Sequence, residues 1–292
     1  MVKRSSVAGL ALLLGASPAM AAWSDINLRV GVTELSREIY GLHMLILWIC
    51  VAIAVAVFSV MIYSIATFRR SKGAVPADFD HSTKVEILWT VIPALILVGM
   101  AVPAARTLVK IEDTRGSELT VKVTGYQWKW QYEYVDQGVS FFSTIDRTSD
   151  AARQLDSGID PRSVENYLLE VDNPLVVPQG RKVRVLITAA DVIHAWWVPD
   201  FGMKKDAIPG FINELWFRAD EVGTFRGQCA ELCGRDHGFM PIVVVVKPQA
   251  EYDAWLAGQQ AARQAAATPA TRTAETAPTA GRTEAVLVAN AE

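Results

Sequence analysis

The sequence predicts an N-terminal two-helix transmembrane hairpin followed by an all-β sandwich or barrel outside the membrane. Three observations carry this. Two long segments, Met44 to Phe68 and Ile87 to Ala105, contain no charged residue. Further along, short runs rich in β-branched and aromatic residues alternate with Gly, Pro, Asn and Asp, the pattern of a sheet protein. Between the two apolar segments lies the basic cluster Arg69-Arg70-Ser71-Lys72.

The chain has 292 residues, about half of them apolar, and a formal net charge of −3. Residues 1–22 read as a cleaved secretory signal: Lys3 and Arg4, the apolar run Val7–Leu14, then small residues ending in Ala21-Ala22. A spanning helix needs roughly 20 apolar residues, and both later segments reach that length. Pro93 and Pro103 in the second are tolerated where neighbours satisfy the freed backbone groups. Arginine and lysine mark the cytoplasmic side of a span. The mature N-terminus is therefore expected outside, the loop at 69–82 inside, and everything after about residue 110 outside, in the periplasm.

The outer domain is expected over residues 111–256. Its strands are read at Leu119–Val123, Trp128–Tyr134, Tyr167–Val171, Lys182–Thr188, Glu214–Phe217, Gly223–Gln228 and Ile242–Val246, with residues 145–164 as a surface insertion. Between Glu112 and Lys247 there are 20 acidic and 15 basic side chains, a balance of 15 − 20 = −5, which argues against nucleic acid as a partner and permits a basic protein. Glu251, Trp255 and Leu256 are read on a short helix, and the Ala/Thr/Pro-rich residues 257–292 as a disordered tail.

The chemistry concentrates between Cys229 and Met240, in Cys-Ala-Glu-Leu-Cys-Gly-Arg-Asp-His-Gly-Phe-Met. Two thiols four residues apart in an oxidising compartment are compatible with a disulfide. Two cysteines with His194 and His237 are also compatible with tetrahedral zinc. Zinc has no use for Met240, whereas thiolate, imidazole and thioether together are the set copper selects. One early His followed by Cys, His and Met in one loop is the layout of a blue-copper sandwich with one cysteine added. That extra thiolate would let two copper ions be bridged. Cys50, inside the first apolar segment, reads as a small buried hydrophobe.

These residues together make the chain resemble subunit II of haem–copper cytochrome c oxidase, in its bacterial form, over about residues 24–256. The resemblance rests on Gly125-Tyr126-Gln127-Trp128-Lys129-Trp130, Asp191-Val192-Ile193-His194, Lys205-Asp206-Ala207-Ile208-Pro209-Gly210 and Cys229 through Pro241. It implies a cupredoxin-like Greek-key domain carrying the dinuclear copper centre CuA. Cys229 and Cys233 would bridge the metals, His194 and His237 would bind one each, and Met240 and the Glu231 carbonyl would be weak ligands. The Glu231 carboxylate would reach a magnesium or manganese ion at the boundary with subunit I. Trp128 would receive electrons from cytochrome c, whose basic face would dock on Glu133, Asp172 and Asp191. Ala190 stands where the family often has a further acid. Glu86, just before the second helix, would be the mouth of a proton pathway into subunit I, and subunit III would complete the assembly. No Cys-x-x-Cys-His haem motif occurs in the tail.

Overall fold

The computed structural model describes residue 22 and residues 26–267; residues 1–21, over which a signal was expected, and those after 267, where the tail was expected, lie outside that range. Two long helices come first, α1 (Glu34–Thr67) and α2 (Thr83–Ile111). Their most apolar windows have mean hydropathies of 3.0 and 2.2 and are not buried within the chain, as expected of helices that face lipid. Thr33 starts α1 with a capping box: its hydroxyl accepts from Ser36 N while the Ser36 hydroxyl accepts from Thr33 N. Glu86, expected just before the second helix, lies inside it, in the first turn. There its carboxylate accepts from Ser82 N at 3.3 Å, so the helix begins earlier than the apolar run alone indicated.

The hairpin is tied to the outer domain at its outer end. Thr33 is fully buried and its hydroxyl donates to the Phe201 carbonyl at 3.0 Å. Val32 N donates to Asp200 O, Asp220 N donates to Val32 O, and Trp216 Nε1 donates to Lys110 O at 3.1 Å. Lys110 of α2 bonds Glu34 and Glu38 of α1, at 2.6 and 2.8 Å.

The outer domain is a sandwich of two five-stranded sheets. The first, in the order β3-β2-β1-β5-β8, comprises β1 (Leu119–Tyr126), β2 (Lys129–Tyr134), β3 (Val139–Ser143), β5 (Val183–Ala189) and β8 (Asn213–Phe217). The second, in the order β4-β10-β9-β6-β7, comprises β4 (Leu175–Pro178), β6 (His194–Val198), β7 (Met203–Ala207), β9 (Gly223–Cys229) and β10 (Pro241–Lys247). Alternation along β1 and β5 sends Val121, Val123, Val185 and Ile187 inward. They meet Trp196, Val198, Ile242, Val244 and Val246 of the second sheet in one core. Each such fully buried aliphatic side chain contributes about 1.5–3 kcal/mol.

The expected strand at Tyr167–Val171 is not formed. Asn166 and Leu168 take positive φ (50° and 61°), Leu169 N donates to Asn166 O in a turn, and a single bridge between Ile145 and Val171 remains. The insertion contains a short helix, α3 (Arg147–Ala152). After β10 the chain forms α4 (Gln249–Ala267), which runs well beyond the boundary expected at 256. Apart from Gly258, its extension is Gln, Ala and Arg, all good helix formers. Gln260 secures it by donating to Gln137 O, and Trp255 packs 5.3 Å from Tyr134.

Candidate metal centre

Strands β6 and β9 are antiparallel neighbours, with Trp196 opposite Cys229. Residues two apart on a strand share a face, so His194 at the start of β6 stands beside Cys229 at the end of β9. The loop then carries Cys233, His237 and Met240 back over the same end of the sheet before β10 begins at Pro241. The sulfurs of Cys229 and Cys233 are 3.9 Å apart and the thiols are free. A disulfide would require about 2.05 Å.

A histidine stands beside each sulfur. His194 Nδ1 is 3.9 Å from Cys229 Sγ, and His237 Nδ1 is 3.5 Å from Cys233 Sγ. Met240 Sδ is 3.6 Å from Cys233 Sγ, and the Glu231 carbonyl is 3.3 Å from Cys229 Sγ. His194, Cys229 and Cys233 have ligand atoms within 4.8 Å of one another, and His237 stands outside that set. The donors therefore spread along a sulfur pair instead of closing around one point, which fits two metal ions better than a single tetrahedral zinc.

Outer contacts aim the donors. Asp191 Oδ1 bonds His194 Nε2 at 2.9 Å and leaves Nδ1 facing the sulfur, the usual orientation device for a metal-binding imidazole. Asp191 Oδ2 also accepts from Gln127 N at 2.7 Å. The Cys233 carbonyl accepts from Gln127 Nε2 at 2.9 Å and from Trp128 Nε1 at 3.3 Å, and the Met240 carbonyl accepts from Trp130 Nε1 at 3.2 Å. His194 is fully buried, edge-on to Trp130.

The electrostatics of the sulfurs differ. Burial pushes the Cys229 thiol up, but hydrogen bonds from His194, from backbone groups of Ala195 and Glu231, and from His237 outweigh it and hold the thiol at about 7. Burial and then the neighbouring Cys229 charge push Cys233 up to about 12. Two thiols this close titrate as a pair: one proton leaves easily and the second is retained. Burial raises Asp191, and its bonds from His194, Gln127 and Val192 more than reverse that. Burial lowers His194, and its bonds to Cys229 and Asp191 leave it raised.

Residues 119–247 match the family described as cytochrome C oxidase subunit II, periplasmic domain, and residues 21–106 match the transmembrane domain of the same subunit. The chain belongs to the cytochrome c oxidase subunit II family. A probable cytochrome c oxidase subunit 2 of Rickettsia bellii is 41% identical over 227 residues, covering 78% of this chain and 81% of that one. The cytochrome c oxidase subunit 2 of Cereibacter sphaeroides is 40% identical over 235 residues, covering 77% of each. A solved structure of the periplasmic domain of subunit II of cytochrome oxidase from Bradyrhizobium japonicum is 43% identical. It covers 51% of this chain and 98% of its own, with a TM-score of 0.44. The hairpin is thus the membrane anchor of a subunit II, and the sandwich is its periplasmic, cupredoxin-like domain.

Among the residues singled out from sequence, His194, Cys229, Cys233, His237 and Met240 come together, with the Glu231 carbonyl beside them and its side chain at the surface. Trp128 is half-buried against the cysteine loop. Glu133 is exposed with Lys122 3.8 Å away. Asp172 is committed to Thr144, accepting from its N and Oγ1 at 2.7 and 2.9 Å. Asp191 points at His194 instead of into solvent alone. The sequence reading missed that orienting contact, although an Asp three residues before a ligand His could have signalled it. It also missed Gln127 and Trp130 as props of the loop.

Proposed function

We propose that this subunit accepts electrons from reduced cytochrome c at its Trp128 edge and delivers them to haem in subunit I, where oxygen is reduced and protons are pumped. The observation that supports this most is the pair of unbonded sulfurs 3.9 Å apart with an imidazole beside each. In this reading Cys229, Cys233, His194 and His237 would hold two copper ions, with Met240 and the Glu231 carbonyl as weak ligands. When bound, such a copper pair supplies a one-electron site whose charge is shared between two metals. The chain's own part is to hold the donors rigidly: Asp191 fixes His194, Gln127 and Trp128 fix Cys233, and Trp130 fixes Met240.

Trp128 joins the half-exposed edge of the domain to the cysteine loop through its bond to the Cys233 carbonyl, which suits electron entrance at that residue. Glu133, Asp172 and Asp191 would attract the basic partner and govern its association rate more than its final affinity. The Glu231 carboxylate would hold magnesium or manganese at the subunit I boundary, with Glu86 at the opposite, cytoplasmic end serving proton uptake and subunit III alongside. We assign residues 1–22 as a removed signal, 23–110 as the hairpin and the remainder through α4 as the copper domain. The test is stopped-flow mixing of reduced cytochrome c with the assembled oxidase carrying Trp128→Phe. Electron uptake should fall by about tenfold or more, equivalent to about 1.4 kcal/mol of barrier, with copper retained because Gln127 still holds the Cys233 carbonyl at 2.9 Å. Uptake at the unmodified rate would remove Trp128 from the route.

A further inference from the structure

The insertion between β3 and β4 reaches back to the ligand loop, and the side chain that makes this contact is Arg153, just after α3. Its Nε donates to Asp150 Oδ1 at 2.7 Å. Its Nη1 lies 3.6 Å from Asp236 Oδ1, and its guanidinium carbon stands 4.3 Å from the centre of the Phe239 ring. Asp236 immediately precedes His237, and Phe239 follows it by two residues. The Arg153 and Asp236 side chains are 22% and 18% exposed, so this pair is better shielded than an ordinary surface ion pair.

The ends of this stretch are anchored from below. The Cys233 carbonyl is held by Gln127 and Trp128, and the Met240 carbonyl by Trp130. Between them the chain makes a short 3-10 turn, His237–Phe239, with no side-chain cap bond. Its backbone closures are His237 N to Gly234 O at 3.3 Å and Phe239 N to Asp236 O at 2.9 Å. Such a brief turn has little stability of its own, and His237 at its start is only half-buried.

We propose that Arg153 is a positioning residue for the metal centre: by gripping Asp236 with its edge and Phe239 with its face, it fixes the turn that aims His237 Nδ1 at Cys233 Sγ. This rests on the reading of His237 as a metal ligand. The guanidinium suits both tasks because it is planar and permanently charged; an ammonium supplies the charge without the flat face. Arg153 touches neither sulfur nor imidazole, so its effect passes through the turn. The insertion thereby gains a role: a segment outside both sheets adjusts the rigidity of a ligand loop.

The test uses the detergent-solubilised full chain, first without metal and then loaded with copper. Amide hydrogen exchange over residues 234–239 is compared among the parent, Arg153→Ala, Arg153→Lys, Asp236→Asn and Arg147→Ala. Arg147 is an exposed arginine at the start of α3 and serves as the control. Arg153→Ala and Asp236→Asn should speed exchange at Phe239 and hasten copper loss to a chelator by about tenfold, the low end for an outer-shell contact. Arg153→Lys should recover part of both effects, and Arg147→Ala should change neither. Parent-like exchange and copper loss in Arg153→Ala and Asp236→Asn would overturn the proposal and leave Arg153 as a pin for the insertion alone. Should Arg153→Ala fail to fold, the near-isosteric Asp236→Asn carries the same comparison. A parent chain that takes up no copper would sink the ligand reading, while the exchange measurement would still decide whether Arg153 holds the turn.

Discussion

At the scale of single residues, the site depends on close approach and on a divided pair of thiols. A Cβ at Gly125 would sit 2.8 Å from His194 Cδ2, in a wholly buried spot. Gly125→Ala should therefore push the imidazole off its line to Cys229 and weaken copper binding by about 10–100-fold, the range for disturbing a ligand's support; binding titrations check this, and parent-like affinity would show that the ring can shift freely. The thiols give a pH prediction with a definite sign. Metal takes the thiolate form, so every thiol proton still present must leave. With Cys229 held at about 7 and Cys233 at about 12, uptake at about pH 8.5 should release one thiol proton from the pair. At about pH 6 the count should rise by at least one, and affinity should fall more steeply on the acid side. Proton release in weakly buffered solution, in a Cys50→Ser background, measures this directly. Equal release at both values would mean that the pair is not divided.

The elements show which features the sequence made legible and which it hid. Both membrane helices and the central strands β1, β5, β9 and β10 were readable because apolar runs or strict alternation mark them. Of the strands that escaped, β3, β4 and β7 are sheet edges. β4 ends in Pro178, and β7 carries Lys204, Lys205 and Asp206, the proline and charge that protect edges and make them look like loops. The ligand residues were plain because soft donors at this spacing have few other uses. Their supports were hidden because Gln127 and Arg153 act through contacts 106 and 236 − 153 = 83 residues away in sequence, which local patterns do not encode; Asp191 lies only three residues from His194, yet its exposed setting resembled a docking acid. The start of α1 offers a test at this scale. Thr33 caps the helix and bonds Phe201 at the junction with the sandwich. Thr33→Ala should cost about 1–2 kcal/mol in detergent unfolding experiments. A Cβ on Gly202, at φ +76°, would lie 2.7 Å from Ser36 Cα, so Gly202→Ala should loosen the same junction; unchanged midpoints in both variants would show that it bears no stability.

As a whole, the molecule joins a membrane anchor to an exterior copper domain, with the loop at 69–82 on the opposite side. Cysteines introduced at Ala74 and at the fully exposed Leu155, in a Cys50→Ser background, test this in intact cells with the outer membrane permeabilised. A membrane-impermeant thiol reagent should label position 155 at once and position 74 after lysis; the reverse pattern would invert the topology. The hairpin also sets where the centre sits, since Thr33 bonds Phe201 between β6 and β7 of the sheet that presents His194 and Cys229, while Trp216 of the other sheet holds Lys110. Electron paramagnetic resonance of the copper-loaded full chain tests the central claim most directly. The spacing of the sulfurs and the division of the imidazoles predict hyperfine structure from one unpaired electron shared equally by two copper nuclei. A spectrum of a single isolated copper would contradict it.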